Sequence, residues 1–474
     1  MNAPGFFLAM LPEHLVLLGM VLLLVLDVLG RGRNAALPLA LACTGAAALV
    51  ALVLAVQGYS AAPFAGHFSV NPATLLAKAL VLALALPVLL MSRGDFGPAT
   101  AAHETGPGSE FALLLLSSLY GACLMQSADS FLTLFLGLEI LSIPVYTLVL
   151  LAYRRPQSAE AALKYLVLGG TASATFLMGV SLIYGATGSM AIAAFTQALG
   201  SGSTMAQAAA VLVVVSFFMK AAVVPFHAWA PDAYEAASVP VTGFMAVIVK
   251  AAALLAVVRL FGSAKLSTPM FELVAVLPLL SIVWGNLAAM RQPSLRRMLA
   301  YSSIAHAGYL FYALLGAPEG RLQAVTFYLL AYGVLNLLAF AALPPADDDG
   351  QRDRLEHLKG LFHRSPFAAL MIGIAMLSLA GIPPFPGFVG KFLIFKNVIA
   401  AGHPGWAVLG LVGSYLGIYF YLRVIQFMFM SPDTRALPTG DTATARRWAG
   451  VASGACLAAT LAVAVFPGWV LSRL

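Results

Sequence analysis

Charge is what this chain of 474 residues has least of. Asp, Glu, Lys and Arg together make up only 9% of it, against roughly 25% in a soluble globular domain. Hydrophobic residues supply 61%. That balance excludes a soluble domain and implies an integral membrane protein. The net charge of +7 is not a nucleic-acid signal. On so few charged groups it follows from loop lysines and arginines that set topology, and no nucleic-acid partner is expected. Cysteine is also scarce. Cys43, Cys123 and Cys456 are far apart, each in an apolar run, with no CxxC or Cys/His cluster. This excludes iron–sulfur clusters, structural zinc and a disulfide framework, and the three read as small buried hydrophobes. No GxGxxG turn follows a strand. The first apolar run lacks a basic leader and continues at full span length, so no cleavable signal is expected.

What the chain does have is long apolar runs. A membrane helix needs about 20 mostly apolar residues, whereas a barrel strand needs about ten alternating ones. Fourteen runs qualify as helices: 8–29, 35–56, 69–92, 109–127, 130–152, 160–186, 206–229, 239–262, 270–290, 297–316, 321–344, 366–399, 405–430 and 446–470. Loops after odd-numbered spans hold fifteen Lys and Arg, and the opposite loops hold three, Lys265, Arg321 and Arg473. By the positive-inside rule the odd loops are cytoplasmic and both termini face outward. The largest polar segment, Pro344 to Arg364 with Asp347, Asp348 and Asp349, reads as a cytoplasmic connector.

Two spans carry proline at membrane depth. Span seven contains Lys220, Pro225, His227 and Trp229; span twelve contains Gly381, Pro383, Pro384 and Lys391. Proline removes an N–H and disrupts the bond to the carbonyl four residues back, and in hydrocarbon that loss needs a substitute partner. Pro225 and Pro384 are 159 residues apart and each precedes a Phe. Span seven is fourth in spans four to eight, and span twelve is fourth in spans nine to thirteen. Five-span units starting on opposite sides of the membrane are inverted, and interrupted helices at matching places point to a transport pathway. The expected organisation is all-α: three N-terminal spans in 1–108, a first five-helix repeat in 109–262, a second in 263–430, and a last span in 431–474. Glu139 is followed by Pro144 at the spacing with which Lys220 is followed by Pro225, which predicts a freed carbonyl about one turn from each titratable group.

Ionisable groups inside a membrane are costly and mark ion or proton pathways. Glu139 is the only acid placed deep in an apolar run, and Lys220, Lys250 and Lys391 occupy comparable depths. A buried lysine beside a movable carboxylate is a proton switch, so Glu139 and Lys220 are expected to pair. Lys164 lies nearer the cytoplasmic end of span six. His227 is a relay or a cap for a freed backbone group, and His306 is central in span ten with Ser302 and Ser303 beside it. Lys78, Lys396 and Arg423 are weaker candidates.

The segments Leu138 to Pro144, Lys220 through His227 to Trp229, Tyr301 to Tyr309 and Gly381 to Lys391 resemble the antiporter-like membrane subunits of respiratory complex I, the proton-translocating NADH:quinone oxidoreductase. Among its three sister forms the chain is most similar to the N-type. It stops just after span fourteen, without the lateral helix of the L-type, and carries Lys391 where the M-type usually has Glu. The resemblance implies a chain of proton carriers. Glu139 pairs with the pump lysine Lys220, Lys164 modulates the pair, Lys250 connects at the centre, and His306 leads towards Lys391 near the exit. It also implies that NADH, flavin, iron–sulfur clusters and quinone belong to partner subunits. The implied partners are the neighbouring M-type and small K-type subunits, the lateral helix of the L-type, and lipids. The implied location is the bacterial inner membrane, with periplasmic termini. Three other readings compete: a subunit of an Mrp-type cation/proton antiporter, a pump subunit of a membrane hydrogenase, and a scaffold without transport.

Overall fold

The computed structural model describes residues 3–96, 108–152, 156–344, 353–431 and 443–472. Among them thirteen helices are long and apolar enough to cross a membrane. The remaining expected span, the twelfth, is split into Pro366–Ala380 and Pro386–Ala400, which accounts for the fourteenth. The loop residues Arg154, Arg155, Asp347, Asp348, Asp349, Arg352, Arg435 and Arg473 lie outside the described residues. Arg321, counted above as a loop residue, stands in the first turn of the helix Pro318–Ala341.

Helices prevail because a lipid-facing backbone has no water to bond and must satisfy itself. Between helices the lipid offers no hydrophobic drive, so close packing and hydrogen bonds must hold them together. Span four, Gly108–Gln126, packs most extensively on span five, Phe131–Leu150, and span nine, Thr268–Ala289, does the same on span ten, Leu295–Tyr312. Glycine permits the second approach. A Cβ at Gly285 would lie 2.7 Å from the Ala305 nitrogen, and one at Gly308 would lie 2.6 Å from the Pro278 carbonyl.

The two broken spans correspond bond by bond at the 159-residue offset. The helix Thr204–Ala221 stops at Ala222, which is left-handed at φ 62°, and the helix Pro366–Ala380 stops at Gly381, with φ 84°. In each, the next N–H reaches back to close the last turn: Val223 to Phe218 at 2.8 Å, and Ile382 to Leu377 at 3.2 Å. This is the Schellman arrangement, which satisfies the end carbonyls without water. A cis peptide then precedes Pro225 and Pro384. Pro144 behaves otherwise: it sits inside an unbroken helix, Phe131–Leu150. Hydroxyls reinforce the surrounding turns, Ser142 donating to the Leu138 carbonyl and Ser118 to that of Leu141, both at 2.7 Å.

Two features carry no sequence signal. Span eight contains a π-helical turn, Met245–Val249, immediately before Lys250. Between spans two and three lies a small antiparallel hairpin, Ala61–Phe64 with Phe68–Val70. Arg259 at the end of span eight secures that side of the molecule, donating to the carbonyls of Gln126 and Ala128 at 2.7 Å and to Asp129 at 2.5 Å.

On the opposite face the connector to span twelve is locked by Asp353. Its carboxylate, buried at 1% exposure, accepts from the Arg296 guanidinium at 3.0 Å, the Ser294 hydroxyl at 2.7 Å and the Arg296 N–H at 2.8 Å. Burial alone would raise the Asp353 pKa, but the guanidinium charge and these bonds outweigh it and hold the carboxyl below its ordinary value. The stabilisation is therefore complete above the ordinary carboxylate range and disappears as pH falls below it. Replacing Asp353 with Asn is expected to cost about 3–5 kcal/mol, because it strands the Arg296 charge. The checks are a lower melting temperature at neutral pH, faster proteolysis at 353–365, and loss of the acid-dependent limb of stability.

Candidate functional site

The deep ionisable residues fall into two groups joined by span eight. In the first, the helix Thr204–Ala221 delivers Lys220 in its last turn, opposite one face of span five. Glu139, Ser142 and Tyr146 occupy that face at helical spacing. The Lys220 ammonium lies 3.4 Å from the Glu139 carboxylate, 3.2 Å from the Ser142 hydroxyl and 3.3 Å from the Tyr146 hydroxyl. Lys220 is buried, at 4% exposure, while Glu139 keeps 22% and accepts a second bond from Ser173 of span six. Gly169 leaves room for the Tyr146 hydroxyl, which any Cβ there would strike. Tyr146 packs edge-on to Tyr165, which stacks on Trp229 beyond the break.

Lys164 is not in this cluster. It is 45% exposed and pairs with Asp232 at 2.8 Å and Glu160 at 2.6 Å. Asp232 also meets Arg297, which reaches Glu235. Any effect of Lys164 on Lys220 therefore has to pass through the region following the break. His227 Nε2 accepts the Trp284 indole N–H at 3.0 Å. The helix Thr204–Ala221 is closed at Ala222, and the Val224 N–H donates to the Ser281 hydroxyl oxygen of span nine at 2.7 Å.

The second group surrounds span ten. Lys250 donates to the Ser303 carbonyl at 2.8 Å and to the Ser303 hydroxyl, which also contacts Tyr234 at 3.3 Å. His306, one turn away, is held between two tyrosines. Its Nδ1 lies 2.7 Å from the Tyr328 hydroxyl and its Nε2 lies 3.0 Å from that of Tyr421. Lys391 enters from the helix after the second break. It donates to the carbonyls of Leu379 at 3.1 Å and Ala380 at 3.2 Å and to the Ser414 hydroxyl at 3.0 Å, with the Tyr309 ring 5.0 Å away. A cation at a helix C-terminus is favoured by the dipole, so Lys391 completes the end of the broken helix. Lys250 and Lys391 have no carboxylate within ion-pair distance among the described residues, in contrast to Lys220. Groups of His, Cys, Asp and Glu able to hold a metal ion are absent among the described residues.

A family model described as NADH:quinone oxidoreductase/Mrp antiporter, TM, matches residues 128–417, which contain Glu139 through Lys391. Subunit N of the NADH-quinone oxidoreductase of Pelobacter propionicus is 38% identical over 459 residues, 96% of this chain and 95% of the relative. The chain belongs to the NADH-quinone oxidoreductase subunit N family. A chain in respiratory complex I from Thermus thermophilus superposes with a TM-score of 0.82 at 36% identity, covering 97% of this chain and 98% of that one. A chain of the Mrp complex from Dietzia sp. reaches 0.82 at 22% identity over 99% of this chain and 96% of its own, a likeness of fold alone.

Several members of this subunit N site escaped sequence reading. Ser142 and Tyr146 were findable, because they lie three and seven residues after Glu139 on one helical face. Ser173, Tyr328, Tyr421 and Ser414 come from other helices, and only packing brings them in. Glu13 was passed over because it stands near the start of span one, yet it is more buried than Glu139. It meets Lys78 at 2.6 Å with both side chains at 0% exposure. Neither group finds another hydrogen-bond partner among the described residues, and Lys78 lies 4.9 Å from the Phe68 ring of the hairpin. Glu13→Gln alone is expected to lower stability by about 3–5 kcal/mol by stranding the ammonium, whereas the double change Glu13→Leu with Lys78→Met stays near the wild-type value. Thermal unfolding of the detergent-solubilised protein checks both.

Proposed function

We propose that this chain is a proton-translocating membrane subunit of an NADH:quinone oxidoreductase, carrying protons while quinone is reduced elsewhere in the complex. The observation that supports this most directly is the shared Lys220 ammonium. It sits between one carboxylate and two hydroxyls at 3.2–3.4 Å, held tightly by none of them. With an effective dielectric of about 20, the pair attraction is roughly 5 kcal/mol at this separation and roughly 3 kcal/mol at 6 Å. A movement of a few ångströms thus changes the energy of the protonated lysine by an amount that a coupled reaction can supply. When Glu139 draws away or is neutralised, the ammonium loses its one acidic neighbour among the described residues and releases its proton towards Lys250. From there the route runs past His306 to Lys391, with Lys164 acting on the Glu139 end through Asp232.

In this reading NADH, flavin, iron–sulfur clusters and quinone are held by partner subunits, and this chain holds no cofactor. Glu139 and Lys164 both keep part of their side chains exposed, 22% and 45%. A carboxylate partly exposed at membrane depth needs a protein partner. A neighbouring antiporter-like M-type or small K-type subunit suits that place, with the lateral helix of an L-type subunit and lipids covering other parts of the chain. The complex lies in a bacterial inner membrane with both termini of this chain on the periplasmic side. Full-length identity of 38% to a subunit N, against 22% to the Mrp chain, favours this reading over an Mrp-type antiporter.

Glu139→Gln and Lys220→Ala are each expected to reduce NADH-driven, coupled turnover of the assembled complex by about tenfold or more, with Glu139→Asp milder. The measurement is proton uptake per NADH oxidised in vesicles, with ferricyanide reduction as the control for assembly. Normal pumping in both variants refutes the assignment.

A further inference from the structure

The environment of His306 contains more than a histidine between two hydroxyls. Ser302 and His306 are four residues apart on span ten, and Tyr421 of span thirteen bridges them. The Tyr421 hydroxyl lies 2.5 Å from the Ser302 hydroxyl and 3.0 Å from His306 Nε2. On the far side, Tyr328 of span eleven lies 2.7 Å from His306 Nδ1. All four side chains are buried, at 2% exposure or less. Ser302, Tyr421, His306 and Tyr328 therefore form an unbranched chain of four groups joined by three hydrogen bonds.

The protons of this chain can be counted. Each hydroxyl carries one proton, and a neutral imidazole carries one N–H and one acceptor nitrogen. That makes four protons for three bonds, so one proton is left at an end. If Tyr328 donates to Nδ1, then Nε2–H donates to Tyr421, Tyr421 donates to Ser302, and the spare proton is on Ser302. If Ser302 donates to Tyr421, Tyr421 donates to Nε2, Nδ1–H donates to Tyr328, and the spare proton is on Tyr328. Both arrangements use the same heavy-atom positions. They differ only in which end presents a proton: the Ser302 end, next to the Ser303 that binds Lys250, or the Tyr328 end, whose ring packs on Gly390 beside Lys391.

We propose that Tyr421 is a proton-relay residue, the link through which a proton passes between the Lys250 end of this chain and His306. This rests on the proton-translocation reading above and adds to it two phenols, Tyr421 and Tyr328. In the forward step a proton arrives at the Ser302 oxygen, and Ser302 passes its own proton to the Tyr421 oxygen. Tyr421 passes its phenolic proton to Nε2, Nδ1 releases its proton to Tyr328, and Tyr328 releases its own outward to water on the Lys391 side. One proton enters, one leaves, and no group keeps a net charge. The passage leaves His306 as the other tautomer and every bond reversed. The chain must be reset before the next proton, and hydroxyl rotation supplies only part of that reset. Without the Tyr421 hydroxyl, Ser302 and His306 Nε2 lose the group that bridges them, although the two ends of the chain remain.

The test is Tyr421→Phe in the intact complex, because phenylalanine keeps the ring and removes only the hydroxyl. The expected result is full assembly by ferricyanide reduction, a coupled turnover lowered about tenfold, and a larger solvent deuterium isotope effect on the turnover that remains. Packing alone would not move the isotope effect. If Tyr421→Phe fails to assemble, Ser302→Ala cuts the same chain from its other member and is expected to give the same two changes. Normal turnover and an unchanged isotope effect in the assembled variant, alongside an impaired Lys220→Ala, overturn the relay and leave the wider reading standing. Normal behaviour in both variants overturns the wider reading too.

Discussion

A helix broken inside hydrocarbon exposes carbonyls that no water can bond, and the architecture of this chain is organised around solving that problem twice. Both breaks begin in the same way, with a left-handed residue and a reach-back hydrogen bond 159 positions apart. They finish differently. In the second break, Lys391 turns back and donates to the Leu379 and Ala380 carbonyls, so a functional candidate also serves as the helix cap. In the first, the uncharged Trp229 indole donates to the Met219 carbonyl, and the Val224 N–H donates to the Ser281 hydroxyl. Lys220 is thereby released from capping and faces the hydroxyls and carboxylate of span five. Two breaks of one geometry leave one lysine anchored to backbone and the other free to change partners.

This contrast explains what was readable in the sequence. Span count, helical class and the positions of both breaks follow from apolar run length and from Pro225 and Pro384, which are local properties. Glu139, Lys220, Lys250, His306 and Lys391 stand out because charge in an apolar run is rare. The pairing of Glu139 with Lys220 was also readable from their shared depth; the other contacts were not. Lys164 sits on the same helix as Ser173, nine residues before it, yet Ser173 reaches Glu139 and Lys164 reaches Asp232. The π-helical turn before Lys250 has no signature in Met245–Val249, an apolar stretch like many others here. Pro144 and Pro225 each follow a titratable group by five residues, yet only Pro225 lies in a broken helix. A proline breaks a helix only where other signals agree, and span five has no left-handed residue preceding it.

Buried ion pairs in one protein need not serve one purpose, and geometry separates them. Glu13–Lys78 meets at 2.6 Å with both partners at 0% exposure. Arg296–Asp353 meets at 3.0 Å with both at 1%, and Ser294 and a backbone N–H complete the carboxylate. Glu139–Lys220 is the longest of the three at 3.4 Å, the most asymmetric in exposure, and the only one whose cation has two hydroxyls within reach as alternatives. A short, enclosed pair has no second state of comparable energy, because parting it strands a charge in a medium that cannot solvate it. Such pairs fix where helices sit: span one against span three, and the connector before span twelve against span ten. A pair whose cation is already shared and whose anion is partly exposed has neighbouring states a few kcal/mol away, the scale on which a coupled reaction shifts populations. The two locks fix the frame around the one pair of the three whose cation is shared among several groups.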